Sequence, residues 1–315
     1  MAGPAAYQAG TMTPMAGRRL VRFSLVAALT LLGPACHSEP APTVQAPPNP
    51  TTAPSTVLAG CVVDQGSARP STPRTGPSPG DYTIVQPGIL VAASMTSHPP
   101  FESLQGGRPV GFDIDLIAEV ARRLGLRPEI QSATLSSVLT DVVQGRADVA
   151  IAALSIRSDR RSVVDFTDAY YPADLALTVG VGQARGFGLS ALSGKVLGVP
   201  GGTTAESCAR SALLPQARLA SVKAYQDISA AFTDLSVGRL GAVLADVPTS
   251  DRLVQAVPGV QMVQVYKTGD AYAIAVARSN PKLREAINRV LGDMRRDGTY
   301  ALLFQKWFQV KPPSG

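Results

Sequence analysis

The chain has 315 residues, of which 45% are hydrophobic and 17% are charged, so it can bury a substantial core and wholesale disorder is excluded. Its formal net charge of +6 includes three arginines near the N-terminus, and the remainder is too evenly balanced to indicate a nucleic-acid partner. Two histidines and three cysteines, mostly far apart, do not suit a structural zinc site, so we expect neither a metal nor another cofactor.

The N-terminus has the order of a secretory signal. Arg18, Arg19 and Arg22 precede an apolar stretch at residues 23–33, which is too short for a stable membrane span, and small residues then lead to Cys36. We predict that residues 1–35 are a signal peptide. A cysteine in this place resembles the lipidated first residue of bacterial lipoproteins, which implies a lipid anchor on the extracytoplasmic face of the cell membrane. A plain secreted protein is the alternative.

Residues 36–80 differ in composition from the rest of the chain. They are rich in Pro, Ser and Thr and hold few charged residues, so they predict an extended, mobile tether. Cys61 lies in this segment and could form a disulfide with Cys208, because export exposes both to oxidising conditions. Spacing alone is equally compatible with two unpaired thiols.

From Asp81 onward, strand-like segments alternate with segments whose apolar residues recur at helical spacing. The predicted strands are residues 84–85, 89–93, 148–153, 196–199 and 242–246. The predicted helices are 113–124, with Asp113 as the N-cap and Gly125 as the stop, 136–144, and 227–237 with Gly238 as the stop. The alternation predicts an α/β fold with parallel sheets in two lobes.

Polar residues follow the carboxyl ends of these strands, where open α/β sheets bind ligands. Ser155 and Arg160 follow one strand, Thr203 and Thr204 follow the next, and Asp246 ends another. A helix N-terminus after such a strand offers unpaired N–H groups to an anion.

Several motifs, in order and spacing, resemble the bacterial extracellular solute-binding proteins of family 3, the amino-acid-binding components of ABC importers. The motifs are Pro99-Pro100-Phe101, Gly111-Phe112-Asp113-Ile114-Asp115, the run 155–160, Val164-Asp165-Phe166-Thr167 with Tyr170-Tyr171, Gly202-Thr203-Thr204, Asp246, and the run 297–307. The resemblance covers about residues 83–310. It implies a periplasmic-binding-protein type II clamp, in which two crossing strands join the lobes and the ligand cleft lies between them. Lobe one would be residues 81–176 and 268–315, and lobe two residues 177–267.

The resemblance also implies a role for each site residue. Arg160 would grip a ligand carboxylate, Thr203 and Thr204 would donate to it, and Asp246 would receive the ammonium group, helped by the Ser155 hydroxyl and the Ala153 carbonyl. Side chains at three further positions, His98, Met95 and Leu135, would surround the ligand side chain. Structural alternatives remain: Arg160 as a solvated helix residue, and Asp246, Thr203 and Thr204 as helix caps.

Two departures from the family pattern bear on the ligand side chain. Met95 stands where some members carry an acid, which argues against Lys, Arg or His as the ligand. Arg157 stands where the family commonly has Thr, and it would favour an acidic ligand if it pointed inward. We therefore hypothesise Glu, Gln, Asp or Asn, delivered to an ABC permease in the membrane by a monomer that performs no catalysis.

Two alternatives share the fold. One is a sensor domain that reports the amino acid to a membrane partner. The other is a dehydratase of cyclohexadienyl acids, with Glu102 or Glu206 as a pocket-side general acid. Other enzyme classes are disfavoured: His98 is the only histidine of the folded region, and Gly201-Gly202-Thr203-Thr204 lacks the lysine of a P-loop.

Overall fold

The structure, a computed structural model, describes residues 53–58, 60–61 and 81–312. The predicted signal peptide at residues 1–35 and the predicted lipidation site Cys36 lie outside these ranges. Within them, no helix combines the length and the apolar character that crossing a membrane would need.

Strands and helices alternate along most of the described chain. In chain order the strands are β1 (Ser55–Val57), β2 (Ile89–Ser94), β3 (Ser97–His98), β4 (Glu102–Gln105), β5 (Arg108–Val110), β6 (Arg127–Ser132), β7 (Val149–Ala150), β8 (Val164–Phe166), β9 (Tyr171–Pro172), β10 (Leu175–Gly180), β11 (Val196–Pro200), β12 (Ser221–Tyr225), β13 (Ala242–Asp246), β14 (Val260–Lys267), β15 (Ala271–Tyr272) and β16 (Ala275–Ala277). The helices are α1 (Phe112–Arg123), α2 (Val138–Val143), α3 (Ser158–Arg161), α4 (Val181–Ala184), α5 (Thr204–Cys208), α6 (Leu214–Gln216), α7 (Ile228–Ser236), α8 (Val247–Ala256), α9 (Pro281–Arg296) and α10 (Thr299–Phe308). A 3-10 helix at Leu189–Leu192 and a π-helical turn at Ala209–Leu213 complete the set.

Two separate sheets define two lobes, as the sequence predicts. The lobe-one sheet has the order β6-β2-β7-β16-β8, and the lobe-two sheet has the order β1-β14-β10-β13-β11-β12. The chain passes between them twice, through β9 and through β15, and these two short strands pair antiparallel. The fold is therefore the two-lobed α/β clamp with two crossing segments.

Each sheet is covered by helices on both faces, which explains its continuous apolar strands. In β2, Leu90 and Ala92 belong to one apolar cluster, and the intervening Val91 and Ala93 belong to another. In β13 the residues alternate in the same way between two clusters of lobe two. Because side chains alternate across a strand, each lobe is a three-layer sandwich with its polar residues displaced to the strand ends.

The local predictions have mixed outcomes. Helix α7 and strand β13 match their predictions, and the Asp227 carboxylate caps α7 by accepting from Ser229 N at 2.9 Å. The prediction of Asp113 as an N-cap was wrong, because α1 begins at Phe112 and the Asp113 side chain is committed elsewhere in the lobe. Residues 84–85 form no strand, and β7 is shorter than predicted.

The predicted tether at residues 36–80 needs a correction for its described part. Strand β1 pairs in parallel with β14 at the edge of the lobe-two sheet, so it is not free chain. Cys61 forms a disulfide with Cys208, with 4.7 Å between the two Cα atoms, and both side chains are buried. Composition alone missed this docking because β1 is short and its own side chains are exposed.

Candidate functional site

A cavity lies at the carboxyl ends of β7, β11 and β13, where the two lobes meet. Its lining includes every residue that the sequence assigns to a ligand site: Met95, His98, Leu135, Ala153, Ser155, Arg160, Thr203, Thr204 and Asp246. Residues that the sequence did not single out also line it, including Thr134, Gln226, Asp270 and Tyr272. The fold thus gathers the predicted set in one place, and what each residue contacts in a ligand stays a prediction.

Arg160 is buried on the short helix α3, with 9% of its surface exposed. Its Nη1 donates to the Ser155 carbonyl at 3.1 Å, and its Nη2 donates to the Gly202 carbonyl of lobe two at 3.3 Å. Burial, and then the nearby charge of Arg157, lower the pKa of Arg160 to about 10, so it stays charged at neutral pH. Among the described residues the Arg160 guanidinium forms no ion pair within 4.0 Å, and the negative charges that act on it from farther away are Asp159 and Asp270.

A chain of hydrogen bonds crosses the cavity floor. Thr204 of lobe two donates through Oγ1 to Ser155 Oγ at 3.0 Å, and Ser155 Oγ donates to Asp270 Oδ2 at 2.6 Å. Asp270 lies on the second crossing segment and is almost fully buried. Burial raises the pKa of Asp270 above its ordinary value, although the hydrogen bonds from Ser155 and Thr204 oppose this. Asp270 belongs to none of the motifs recognised in the sequence. The available signal was that an acidic residue lies at the boundary between the two predicted lobes.

Asp246 ends β13 and serves as the N-cap of α8, accepting from Thr249 N at 3.0 Å. The capping alternative is therefore correct for one of its oxygens. The other oxygen lies 2.9 Å from Nε2 of His98, a lobe-one residue. Burial alone would lower the pKa of His98, but the charge and hydrogen bond of Asp246 raise it above the ordinary value. Burial alone would raise the pKa of Asp246, and His98 and Thr249 lower it overall. When His98 is protonated, the two side chains form an ion pair between the lobes.

At helix α5 the structure also matches the alternative interpretation, in which a threonine caps the helix. Thr203 Oγ1 accepts from Glu206 N at 3.4 Å and donates to the Pro200 carbonyl at 2.7 Å. The Thr203 hydroxyl is therefore committed to its own loop, whereas Thr204 reaches across to lobe one.

Two further carboxyl groups are buried behind His98. Glu102 is completely buried, and neither of its carboxyl oxygens has a hydrogen-bond partner in the described part of the chain. Asp113 Oδ2 accepts from Ala153 N and from the Tyr170 hydroxyl, both at 2.8 Å. Burial, strengthened for Glu102 by the neighbouring Asp113 charge, raises the pKa of Glu102 well above its ordinary value and that of Asp113 to about 6.

The Asp113 bond has a local purpose. Ala153 has a φ of 44°, a left-handed conformation that is unfavourable for a residue with a Cβ. The hydrogen bond from Ala153 N to Asp113 holds this strained residue at the edge of the cavity. Asp113 therefore supports the cavity wall through Ala153 without lining the cavity itself. Its position in a motif at the start of a helix gave no indication of this role.

Neither Glu102 nor Glu206 lines the cavity, so the prediction of these two as pocket-side acids was wrong. Glu206 accepts from Gly202 N at 2.8 Å and pairs with Arg210 at 2.7 Å. The Gly202 hydrogen bond, followed by Arg210, lowers the pKa of Glu206, which makes it a poor proton donor.

Arg157 also lies outside the cavity lining. Its Nη2 pairs with Asp159 at 2.6 Å, and its Nη1 donates to the Gly202 carbonyl at 3.3 Å. The condition under which Arg157 would favour an acidic ligand, an inward-pointing side chain, is therefore not met.

The comparisons with known proteins agree with this fold. A family model described as bacterial extracellular solute-binding proteins, family 3, matches residues 90–310. The lysine/arginine/ornithine-binding periplasmic protein of Escherichia coli (strain K12) is 30% identical over 222 residues, which are 68% of this chain and 85% of that protein.

Solved structures are similar over the same region. An ancestral arginine-binding protein bound to glutamine has a TM-score of 0.65 and 34% identity, covering 71% of this chain and 100% of that one. The ancestral amino acid-binding protein AncCDT-1, a precursor of cyclohexadienyl dehydratase, has a TM-score of 0.63 and 27% identity, covering 70% and 96%.

Proposed function

We propose that this chain, which belongs to the bacterial extracellular solute-binding proteins of family 3, binds a free α-amino acid between its lobes for delivery to an ABC importer. The observation that carries the proposal is the cavity itself, which is lined by a buried arginine, Arg160, and by two buried carboxylates, Asp246 and Asp270. An α-amino acid presents the matching pair of charges on two groups bonded to the same carbon. Burying either charge unpaired would be costly, so the cavity and the zwitterion complement each other.

Charge balance argues for a neutral ligand side chain. The charged residues that line the cavity are Arg160, His98, Asp246 and Asp270, two cations and two anions once His98 is protonated. A zwitterion leaves this balance unchanged, whereas a charged side chain would add a charge with no partner left for it. Thr134 and Gln226 offer polar groups beside Met95 and Leu135. Of the side chains hypothesised from the sequence, the amides of Gln and Asn fit this balance better than Glu and Asp.

Lobe closure is the proposed transport step. In the structure several contacts join the lobes directly, among them the His98–Asp246 pair and the hydrogen bond from Thr249 Oγ1 to the Pro99 carbonyl at 3.1 Å. A ligand that contacts both lobes stabilises the closed arrangement only through contacts that the open one lacks. The importer in the membrane would recognise the closed surface, and a sensor partner could recognise it equally.

The proposed location is outside the cytoplasmic membrane. A lipid on Cys36 and a segment of chain before β1 would hold the folded part near an importer as a monomer. The dehydratase alternative is not carried forward, because the two acids suspected for it do not line the cavity.

Titration calorimetry on residues 37–315 with Gln, Asn, Glu, Asp, Arg and Lys tests the proposal. We expect Arg160→Ala to weaken binding of the preferred amino acid by about 30-fold or more, because its carboxylate would lose a buried charged partner. Arg161→Ala, on the same helix but outside the cavity lining, is the matched control and should bind normally. Equal affinity of the wild type and Arg160→Ala would refute the carboxylate assignment.

A further inference from the structure

We propose that the charge of His98 excludes cationic side chains from the cavity, so that neutral amino acids bind in preference to cationic ones of the same length. This inference rests on the proposed function and names a residue that determines side-chain specificity. His98 is 8% exposed and lines the cavity together with Met95 and Leu135, the two other residues that the sequence predicts around the ligand side chain. Of these three residues, only His98 can hold a charge.

The structure holds the His98 ring against an acid of the other lobe. Its Nε2 lies 2.9 Å from Asp246 Oδ2 and 3.3 Å from Thr249 Oγ1. The Thr249 hydroxyl donates to the Pro99 carbonyl at 3.1 Å, so its oxygen faces the ring as an acceptor. Phe101 stacks on the ring with 5.8 Å between the centroids. An imidazole that faces a buried carboxylate and a hydroxyl acceptor is favoured in its protonated form.

Acids from three elements lie around the ring. Asp246 faces it from the end of β13, Asp113 acts on it from α1, and Glu102 is its partner in strand β4. Burial lowers the pKa of His98, but the charge and hydrogen bond of Asp246, and then the charge of Asp113, raise it above the ordinary value. The ring therefore holds its proton below neutral pH and loses it as the pH rises through its pKa. The titratable groups on the cavity side are Arg160, Tyr225, Asp270 and Tyr272.

The charges that line the cavity balance only while His98 is protonated. Arg160 and Asp270 act on each other electrostatically, and His98 contacts Asp246. A zwitterionic ligand with a neutral side chain keeps the sum of charges at zero. A cationic side chain would lie near the protonated ring, and the lining described above holds no further anion to balance it.

Loss of the His98 proton removes this obstacle. With a neutral ring, the charged residues of the lining are two carboxylates and one arginine, so a cationic side chain then restores the balance. Specificity that comes from repelling the wrong ligand lasts only as long as the repelling charge. The preference for a neutral side chain should therefore weaken as the pH rises through the pKa of His98, and it should be weak at every pH when the histidine is replaced.

Two pairs of ligands test the assignment: L-glutamine with L-ornithine, and L-citrulline with L-arginine. The members of each pair have side chains of equal length, and only one member is cationic. Calorimetric affinities of residues 37–315 are measured from about pH 5.5 to pH 8.5, and the affinity ratio within each pair cancels effects on the shared α-amino acid group. At pH 5.5 the wild type should favour the neutral member by about 30-fold or more. In His98→Gln this ratio should be smaller by about tenfold or more and should change little with pH, because glutamine donates to Asp246 without a charge.

Thr249→Val is the matched control, since it removes a neutral contact of the ring and keeps the charge of the ring. It should retain the wild-type ratio. Proton NMR of the histidine signal that His98→Gln lacks gives the pKa of His98, and the wild-type ratio should change around this pKa.

The inference is overturned if the wild type lacks the preference at pH 5.5, or if His98→Gln keeps it in full. It is also overturned if Thr249→Val loses the preference, because packing of the ring rather than its charge would then set it. His98→Asn replaces His98→Gln should the latter fail to fold. A wild type that binds none of the four ligands would instead refute the proposed function, and this inference with it.

Discussion

At the scale of single residues, the buried acids Glu102 and Asp113 show how the site depends on groups that never meet the cavity. Asp113 holds the strained Ala153, and neither carboxyl oxygen of the neighbouring Glu102 has a hydrogen-bond partner among the residues that the structure describes. Because the folded protein binds protons at this pair more tightly than the unfolded chain does, the pair stabilises the fold most at low pH. That stability is fully present below the ordinary carboxyl pKa and is lost as the pH rises through about 6.

We predict that Glu102→Gln flattens the dependence of stability on pH. The raised pKa of Asp113 alone, from 3.8 to about 6, corresponds to on the order of 3 kcal/mol between pH 4 and pH 7. A glutamine amide can donate to Asp113 and removes one of the two titrating acids, so the variant should lose less stability over this range. Urea unfolding from pH 4 to pH 8 measures the free energy of unfolding at each pH. Glu129→Gln, at an exposed position, is the control. A profile identical to that of the wild type would contradict the prediction.

The site was predictable where the residues belong to contiguous motifs. Arg160, Ser155 and the Thr203-Thr204 pair are adjacent to strand ends, so a short stretch of sequence defines their positions. Asp270 was not predicted as a site residue, because its place in the cavity depends on how the second crossing segment packs against lobe one. The contact of His98 with Asp246 was not predicted for a similar reason, since it joins residues from different lobes.

At the scale of secondary-structure elements, Gly111 sets the approach of the β3–β4 hairpin to α1. Its φ is 148°, and a Cβ at this position would overlap the Phe101 carbonyl oxygen and lie 2.8 Å from Glu102 Cα. The close approach allows Phe112 N and Asp113 N to donate to the carbonyls of Pro100 and Phe101, each at 3.0 Å. These bonds fix the segment that carries His98.

We predict that Gly111→Ala destabilises the protein by roughly 2–5 kcal/mol, because backbone rather than a flexible side chain must move. Gly107→Ala is the matched control: it also has a positive φ, of 78°, but nothing lies within 4 Å of its added Cβ, so about 1 kcal/mol is expected. Urea unfolding at neutral pH compares the two. Equal losses would mean that the close approach at Gly111 does not matter.

The docking of β1 is a second element-level feature. Val265 N donates to the Pro54 carbonyl at 2.9 Å, and the Cys61–Cys208 disulfide closes a separation of 147 residues. Strand β14, which β1 covers, leads directly into the second crossing segment. The N-terminal segment thus protects an edge that would otherwise expose unpaired backbone groups.

We expect the double variant Cys61→Ser, Cys208→Ser to lose about 2–4 kcal/mol of unfolding free energy, since the disulfide restricts the unfolded chain. Residues 37–315 contain no other cysteine, so a reductant should destabilise the wild type and leave the double variant unchanged. Guanidinium unfolding with and without dithiothreitol measures both. The prediction fails if the reductant does not move the wild-type midpoint.

Element prediction succeeded where local signals agree. For α7, an N-cap aspartate, an apolar stripe and a following glycine all give the same boundaries. For α1 the predicted cap was Asp113, but its carboxylate accepts from Ala153 N and from the Tyr170 hydroxyl instead. The docking of β1 depends on a partner strand some 200 residues away, which no local pattern encodes.

At the scale of the whole molecule, the two lobes share one cavity and contact each other across it. Each lobe supplies part of the charge around the cavity. Lobe one contributes Arg160 and His98, and the second crossing segment contributes Asp270. Lobe two contributes Asp246 and the start of α5 at Thr204. Since these groups come from separate sheets, the recognition site is complete only when the lobes are together. We therefore expect ligand binding and lobe closure to be thermodynamically coupled.

Thermal unfolding of residues 37–315 in the presence of each of the twenty common amino acids is the decisive test of the proposed amino-acid site. A ligand at about 100 times its dissociation constant should add roughly 2.7 kcal/mol of stability. We predict a clear rise in melting temperature with a small group of amino acids that have neutral polar side chains, and no rise with the corresponding D-enantiomers. No rise with any amino acid would contradict the claim that the cavity is an amino-acid site.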